Sequence, residues 1–359
     1  MTSATTAFDS VDTWPTCSVI VPIRNEGPHL QGFIQSVERL DYPEEALEVI
    51  IIDGMSTDGT YERLAEWSEG CHRAIVLLRN ERRHVPFALN LAIRRARGEY
   101  IVRLDAHTEY PDGYVKQCVR LGVTTGADNV GGVVRAAVLG EGHKVTAIRA
   151  LSQSILGVGN SRFRMSGGEP GPAETVPFGC FTRRCFEKYG LFNEYLVRAQ
   201  DLEFNKRVRR LGGEIYMDPS IVSTYYNRGS LGGIARKNFN SGRWTWVFPY
   251  VSIVRPSLRH TLPMVFVAGV AGLGVLSLWS SWVRMLFMSL GVFYALTLIL
   301  GALRREKLRN PAVVTWFVLG CAVSHFTYGL GSLVGLLLTG PRCGRHRRAE
   351  SARKRASDS

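Results

Sequence analysis

The sequence predicts an α/β domain built on a mostly parallel sheet, followed by membrane-crossing helices. Short apolar runs at 17–21, 47–52, 74–78 and 100–104 alternate with helix-length stretches, the pattern of βαβ units. Three of these runs end abruptly in polar residues: Arg24-Asn25-Glu26, then Asp53, then Asp105 with His107. From residue 261 to 339 the chain is almost wholly apolar. Ligands of α/β sheets bind beyond the carboxyl ends of the strands, so the three polar ends are expected to share one site.

The elements follow in order. After the first strand, 27–40 reads as an amphipathic helix. Gly54-Met55-Ser56-Thr57-Asp58-Gly59-Thr60 is a turn, with Thr57 or Asp58 as cap for a helix reaching about 69. The helix at 86–97 is closed by Gly98 in the C′ place, and the strand ending at Asp105 comes next. Beyond it are expected a helix at 111–121, a strand at 130–137 and a helix at 144–156. Residues 157–175, rich in Gly, Pro and Ser, read as a long mobile loop. A strand at 176–181 follows, and Gln200-Asp201 opens a basic helix at 204–211 stopped by Gly212-Gly213. Short strands are expected at 215–217 and 221–225.

Composition narrows the function. The 359 residues carry a net charge of +13, concentrated near the apolar region and in the tail at 341–359, where seven Lys/Arg face only Glu350 and Asp358. Basic clusters flanking hydrophobic spans mark a protein held at anionic lipid, which argues against nucleic acid as partner. The seven cysteines lack metal-ligand spacing and read as reduced cytosolic thiols. The first seventeen residues have no basic n-region or apolar h-region, so no signal peptide is expected.

Asp105-Ala106-His107 places a carboxylate and an imidazole two residues apart on an extended loop, where both can face one divalent ion. In isolation, such a D-x-H is commonly no more than a strand running into a polar turn. It gains weight from its neighbours. Val21-Pro22-Ile23-Arg24-Asn25-Glu26, Asp53 through Thr60, Asp105-Ala106-His107, Gln200-Asp201 and Arg243-Trp244, in that order, resemble a family 2 glycosyltransferase with the GT-A fold over roughly residues 16–250. The "DGMSTDGT" and "VRLDAH" forms, with apolar helices after them, most resemble the membrane-associated succinoglycan ExoA-type subgroup.

The resemblance implies roles. Pro22, Asn25 and Glu26 fall where the family holds the nucleotide base and ribose, Asp53 accepts hydrogen bonds from uracil or ribose, and Asn90 faces the site from its helix. Asp105 and His107 replace the family's Asp-x-Asp and would bind a divalent metal, Mn²⁺ or Mg²⁺, on the diphosphate. Asp201 is the candidate general base at a helix N-terminus, with a plain N-cap as its bland alternative. Arg243 would contact the departing diphosphate and Trp244 a sugar ring; a juxtamembrane cation and an interfacial aromatic are the alternative reading. The chain departs from the family pattern in three places. Asp53 precedes Gly54 rather than a second acid, and His107 leaves one carboxylate where two are usual, which favours Mn²⁺. Asn240 stands where processive synthases carry Gln, which favours addition of a single sugar.

Two nineteen-residue apolar runs, 262–280 and 285–303, read as a hairpin turning at 281–284. Arg304, Arg305, Lys307 and Arg309 mark the loop after them as cytosolic. A third stretch, 311–339, would be roughly 43 Å long as a helix. Three crossings put the basic tail outside, against the charge rule, whereas a re-entrant third segment bent near His325, Gly329 and Gly331 keeps it inside. His325 reads as a packed histidine rather than a ligand.

The expected organisation is a polar tail (1–15), a catalytic domain (16–250, with a nucleotide half at 16–110 and an acceptor half at 111–250), a membrane region (261–339) and a basic tail (340–359). The expected protein is an inverting, metal-dependent transferase of a hexose from a nucleotide sugar, a UDP-sugar by preference, to a polyprenyl-linked saccharide. It would sit in the inner membrane with its catalytic domain cytoplasmic. The alternatives are a polyprenyl-phosphate sugar synthase and a silent nucleotide-sugar-binding subunit working with other polysaccharide-assembly proteins. A soluble nucleotidylyltransferase leaves the apolar segments unexplained.

Overall fold

The computed structural model describes residues 14–138, 140–159, 168–227, 229–305 and 310–357. Most of the polar tail at 1–15, the middle of the 157–175 loop, and Lys307 and Arg309 lie outside the described residues. The chain divides into two units, one of residues 1–135 and 165–225, the other of 136–164 and 226–359.

The first unit begins with β1 (Cys17–Ile23), α1 (Leu30–Glu38), β2 (Leu47–Asp53), α2 (Thr60–Gly70), β3 (Ala74–Arg79), α3 (Val85–Arg95) and β4 (Tyr100–Arg103). Each of β1, β2 and β3 is followed by a crossover helix, and β1 accordingly runs parallel to both β2 and β4, and β2 to β3. Helix α1 covers this sheet because Leu30, Phe33, Ile34 and Val37 fall on one face and are buried.

After β4 the strict alternation stops and the pairing turns antiparallel. The later strands are β5 (Thr108–Glu109), β6 (Asn129–Val138), β7 (Gly171–Pro172), β8 (Cys180–Thr182) and β9 (Ile215–Asn227), with α4 (Tyr114–Thr125) after β5. The sheet order among the described residues is β3-β2-β1-β4-β8-β6-β9-β5, with β7 on β9. The sheet is therefore mixed: β8 opposes β4 and β6, and β9 opposes β5 and β7. The two strands expected at 215–217 and 221–225 are one, β9, and the strand expected at 176–181 shortens to β8.

Gly98 does not cap α3, which ends at Arg95 with Ala96 as C-cap. The chain there presses on β1, where a Cβ on Gly98 would lie 2.5 Å from the Ser18 nitrogen. Its N–H donates instead to Ser18 Oγ at 2.8 Å. The unit closes with α7 (Arg183–Tyr189), capped by Thr182 through the Cys185 N–H, and α8 (Gln200–Arg210).

The second unit holds α5 (His143–Ser152), α6 (Ile155–Val158), α9 (Leu231–Thr245), α10 (Phe248–Val251), α11 (Leu258–Leu276), α12 (Ser281–Leu303) and α13 (Pro311–Val334). A π-helical turn, Gly335–Thr339, leads into α14 (Gly340–Ser357). Three of its helical runs, Leu258–Leu276, Ser281–Leu303 and Pro311–Arg353, are long and apolar enough to cross a membrane. Helices α11 and α12 leave Leu262, Trp282, Met288 and Phe293 exposed, and the turn between them leaves Trp279 exposed, as side chains in contact with lipid would be. The hairpin turns at 277–280, earlier than expected, because the Ser280 hydroxyl caps α12 and Arg284 donates to Ser277 O at 3.2 Å.

The third segment does not break where a re-entrant bend was expected. Its helix runs without interruption through His325, Gly329 and Gly331, which are sites of close packing rather than of bending. A Cβ on Gly331 would lie 2.0 Å from Phe239 O, and one on Gly329 2.1 Å from Pro263 O. His325 is packed as expected, with Nδ1 on Tyr294 Oη at 2.8 Å and Nε2 on Leu156 O at 2.6 Å. All seven cysteines are free thiols.

Candidate active site

The sheet order makes β1 and β4 neighbours, while β2 and β3 lie on the other side of β1. This is a topological switch point, where two adjacent parallel strands send their chains to opposite sides. The residues after β1, β2 and β4 thus share the carboxyl edge, and Ile23 pairs with Asp53 at its rim.

The loops after β1 and β2 are tied to one another. Asn25 sits in the left-handed region at φ 53°, which Asn tolerates, and Met55 at φ 61°. The Asn25 N–H donates to Ser56 Oγ at 2.9 Å, and Asn25 Oδ1 accepts from the Thr57 N–H at 2.9 Å. The Glu26 N–H reaches Thr60 Oγ1 and the Gly27 N–H reaches Asp58 Oδ2. Asp58 does not serve as N-cap, a place taken by Gly59 in the left-handed conformation. It still accepts from the Thr60 hydroxyl at 2.6 Å and the Thr60 N–H at 3.2 Å. These bonds, the hydroxyl's first, hold its carboxyl below the usual range. Asp53 is buried and accepts from the Ser56 hydroxyl at 2.5 Å and the Ser56 N–H at 3.0 Å. Both of its oxygens are thus engaged by Ser56, which braces the loop after β2. Pro22 is the last residue but one of β1, paired with Ile52 of β2.

Beyond β4, the Asp105 N–H donates to Tyr110 Oη at 2.9 Å, which turns the chain back towards β5. His107 Nδ1 lies 3.1 Å from Glu26 Oε1, and its ring meets Tyr225 edge-on at 5.4 Å. The hydrogen bond to Glu26 raises the His107 pKa, burial opposes it, and Asp105 adds to the rise. In the neutral tautomer that donates from Nδ1 to Glu26, Nε2 holds the lone pair, the arrangement in which a carboxylate orients a metal-binding histidine. Asp105 and His107 carry donor types that a divalent ion takes, with Glu26 behind the imidazole, while both Asp105 oxygens accept from Arg103. Among the described residues no cluster of three His, Cys, Asp or Glu side chains forms a complete protein cage.

Asp201 is the second residue of α8, at the helix N-terminus as expected, and Ala199 at φ 61° takes the N-cap place without a side-chain bond. Its carboxylate is joined to Asp105 through Arg103. Arg103 donates from Nε to Asp105 Oδ1 at 3.2 Å, and from Nη2 to Oδ1 at 2.9 Å and Oδ2 at 3.3 Å. Its Nη1 pairs with Asp201 Oδ1. Burial by itself would lower the Arg103 pKa, but Asp105 and then Asp201 more than offset it, and the guanidinium stays charged. Residue patterns gave Arg103 no defined role. A cation inside an apolar strand, two residues before an aspartate, is the signal that marks it in the sequence.

Asn90 is placed differently from expectation. It is buried, and its Nδ2 donates to Phe192 O and Glu194 Oε1, both at 2.9 Å, while its Oδ1 accepts from the Phe192 N–H at 2.9 Å. With both its N–H groups and its oxygen so used, Asn90 holds the segment leading to α8 rather than facing a ligand. Arg207 grips the same segment through Tyr189 O and, at 2.8 Å, Leu191 O. Glu203 anchors Arg207 at 3.0 Å. Arg243 and Trp244 lie on α9, in the second unit. Arg243 donates to Thr339 Oγ1 at 2.8 Å, and its guanidinium stands 5.6 Å from the Trp244 ring.

Comparison with known proteins gives these features a context. The family model for Glycosyl transferase family 2 matches residues 18–191. Succinoglycan biosynthesis protein ExoA of Rhizobium meliloti is 30% identical over 295 residues, covering 82% of this chain and 87% of that protein. A dolichyl N-acetyl-alpha-D-glucosaminyl phosphate 3-beta-D-2,3-diacetamido-2,3-dideoxy-beta-D-glucuronosyltransferase of Methanococcus voltae is 25% identical over 252 residues, covering 65% and 77%. Among solved structures, the mannosyltransferase PcManGT of Pyrobaculum calidifontis, in complex with GDP-Man and Mn²⁺, superposes with a TM-score of 0.61 at 20% identity. That alignment covers 91% of this chain and 88% of the other, and it shows a common fold.

Proposed function

The chain belongs to glycosyltransferase family 2, and from that premise we propose an inverting transfer of a hexose from a nucleotide sugar to a lipid-linked saccharide, in synthesis of an exopolysaccharide or envelope glycan. The preferred donor is a UDP-sugar. The observation that carries the reading is the placement of Asp201, at the N-terminus of α8, within one ion-pair cluster with Asp105 at the carboxyl edge of β4. A base and a donor-phosphate residue are thereby held side by side.

In this mechanism Asp201 takes the proton of the acceptor hydroxyl as that oxygen bonds to the anomeric carbon. The bond from that carbon to the nucleoside diphosphate breaks on the opposite face, and the diphosphate leaves with the bonding pair. The helix dipole at the start of α8 favours the ionised, proton-accepting form of Asp201. The interlocked loops at Asn25–Glu26 and Asp53–Thr60 would hold the nucleoside. Asp105 and His107 would hold a divalent ion, Mn²⁺ being favoured by the imidazole, and the ion would offset charge on the diphosphate as it departs. The diphosphate and acceptor roles of Arg243 and Trp244 rest on their motif alone.

The three apolar helices make the protein an integral membrane one in this reading, with the catalytic unit on the cytoplasmic side, where nucleotide sugars are found. Anchoring raises the effective concentration of a lipid-borne acceptor, whether polyprenyl-diphosphate saccharide or polyprenyl phosphate. A catalytically silent subunit of a polysaccharide assembly is the second reading, favoured by His107 standing where the family's metal motif carries a second carboxylate.

The test is nucleoside diphosphate release by the detergent-solubilised full chain from UDP-glucose, UDP-galactose and GDP-mannose, with Mn²⁺, Mg²⁺ or EDTA. Metal-dependent release from one donor, increased by extracted membrane lipid, supports the transferase reading. UDP binding without release from any donor, lipid supplied, favours the silent subunit.

A further inference from the structure

Arg103 occupies a place that local packing does not explain. It lies on β4, with Ile101 and Val102 buried beside it in the sheet, and its own side chain is only 8% exposed. Burying a guanidinium is costly unless it is fully paired, so its surroundings must be specific. The backbone under it is fixed on both sides: its N–H donates to Gly179 O at 3.0 Å, and Ile20 is its partner on β1.

From this fixed base the planar head serves two carboxylates at once. Nε and Nη2 grip Asp105, while Nη1 holds Asp201, a residue 98 positions away in sequence. Only one oxygen of Asp201 is engaged. Oδ2 has no hydrogen-bond partner among the described residues, and the side chain as a whole is 41% exposed. The arrangement fixes the carboxylate by one oxygen and leaves the other open to a hydroxyl.

We propose that Arg103 is a positioning residue for the transfer step, its buried guanidinium aiming Asp201 relative to Asp105 so that base and donor phosphate are held in register. The proposal rests on the assignment of Asp201 as the base. Arginine suits this task because its fork binds two partners in fixed relative orientation, whereas lysine offers a single mobile charge. Arg103→Lys therefore keeps the charge and loses the aim.

The experiment compares the full-length parent, Arg103→Lys and Asp201→Asn in detergent, on the donor that supports release, with extracted lipid as acceptor source. The proposal expects Arg103→Lys to lower kcat on the order of 100-fold, the effect of about 1 Å of misplacement, with UDP affinity retained and with Tm lowered but the protein still folded at the assay temperature. Arg103→Ala, with Tm checked, should regain part of its kcat on addition of ethylguanidinium, which a purely structural role would not give. An unaltered kcat in Arg103→Lys overturns the proposal. So does a loss confined to donor KM and matched by weaker UDP binding, which would make Arg103 a donor-binding residue. Asp201→Asn separates the two levels: if it keeps full turnover, the base assignment itself fails. If it is inactive while Arg103→Lys behaves as the parent, only the positioning role fails.

Discussion

Asn90→Leu removes the clamp on the segment that delivers Asp201. The Asn90 amide satisfies both the N–H and the carbonyl of Phe192 and one oxygen of Glu194. Phe192 is 2% exposed, so water cannot replace the lost partner for its backbone without the segment moving. Each buried group left unsatisfied costs about 1–3 kcal/mol, and two such groups give about 3 kcal/mol if the segment partly relaxes. For a unit of this size that corresponds to a fall in Tm of roughly 6–12 °C. Differential scanning fluorimetry of the detergent-solubilised chain, with a parallel UDP titration, is the assay. The expected result is a lower Tm and a reduced kcat, since the segment ends at α8, with UDP affinity retained. An unchanged Tm with UDP binding abolished would refute this reasoning and return Asn90 to the nucleotide-facing role its position in the motif order implies.

Three further outcomes follow from the same geometry. Asp201→Asn should reduce transfer by about 10²- to 10⁴-fold with UDP binding intact, as measured by diphosphate release and isothermal titration. His107→Ala should raise the Mn²⁺ concentration needed for half-maximal release, and EDTA should abolish release in the parent; equal metal dependence in both proteins would remove His107 from the ligand set. Gly335→Ala would put a methyl group 2.1 Å from Arg243 O, so α9 must shift. Overpacking of this kind costs about 1–3 kcal/mol and should appear as a lowered Tm of the detergent-solubilised chain.

The parallel half of the fold was legible because its strands are short apolar runs separated by helices, a pattern that admits few topologies. The same logic gathers Asn25, Glu26, Asp53, Asp105 and His107 at one edge. It failed past β4. There the strands pair antiparallel across long sequence gaps, as β8 does with β4 and β9 with β5, and no periodicity announces a partner. Gly98 misled for a related reason, since a glycine near a helix end looks like a cap whether it serves a turn or a close backbone approach. Asn90 and Arg103 show the limit for sites. A polar residue on the right helix or strand can face a ligand or grip a neighbouring segment, and only the partner, about a hundred residues away, tells which.

The membrane region carries a similar lesson about glycine and topology. Gly329 and Gly331 looked like the weak points of an overlong helix, places to bend it back, and Gly335 follows one turn further on. Each instead marks a backbone approach: Gly329 to Pro263 of α11, Gly331 to Phe239 and Gly335 to Arg243 of α9. Small residues at such contacts let helices pack closely where lipid gives no hydrophobic drive between them. The consequence concerns the Arg243-Trp244 pair. Gly335 lies against the Arg243 backbone and Thr339 accepts from its side chain, so the motif is fastened to the π-helical turn that ends α13. A π-turn inserts an extra residue into the helical repeat, and Gly335 and Thr339 are its first and last residues. Restoring α-helical register by deleting one residue from 335–339 would rotate one contact against the other by about a quarter turn. They could not both persist, so such a deletion should loosen Arg243 while α13 itself remains helical.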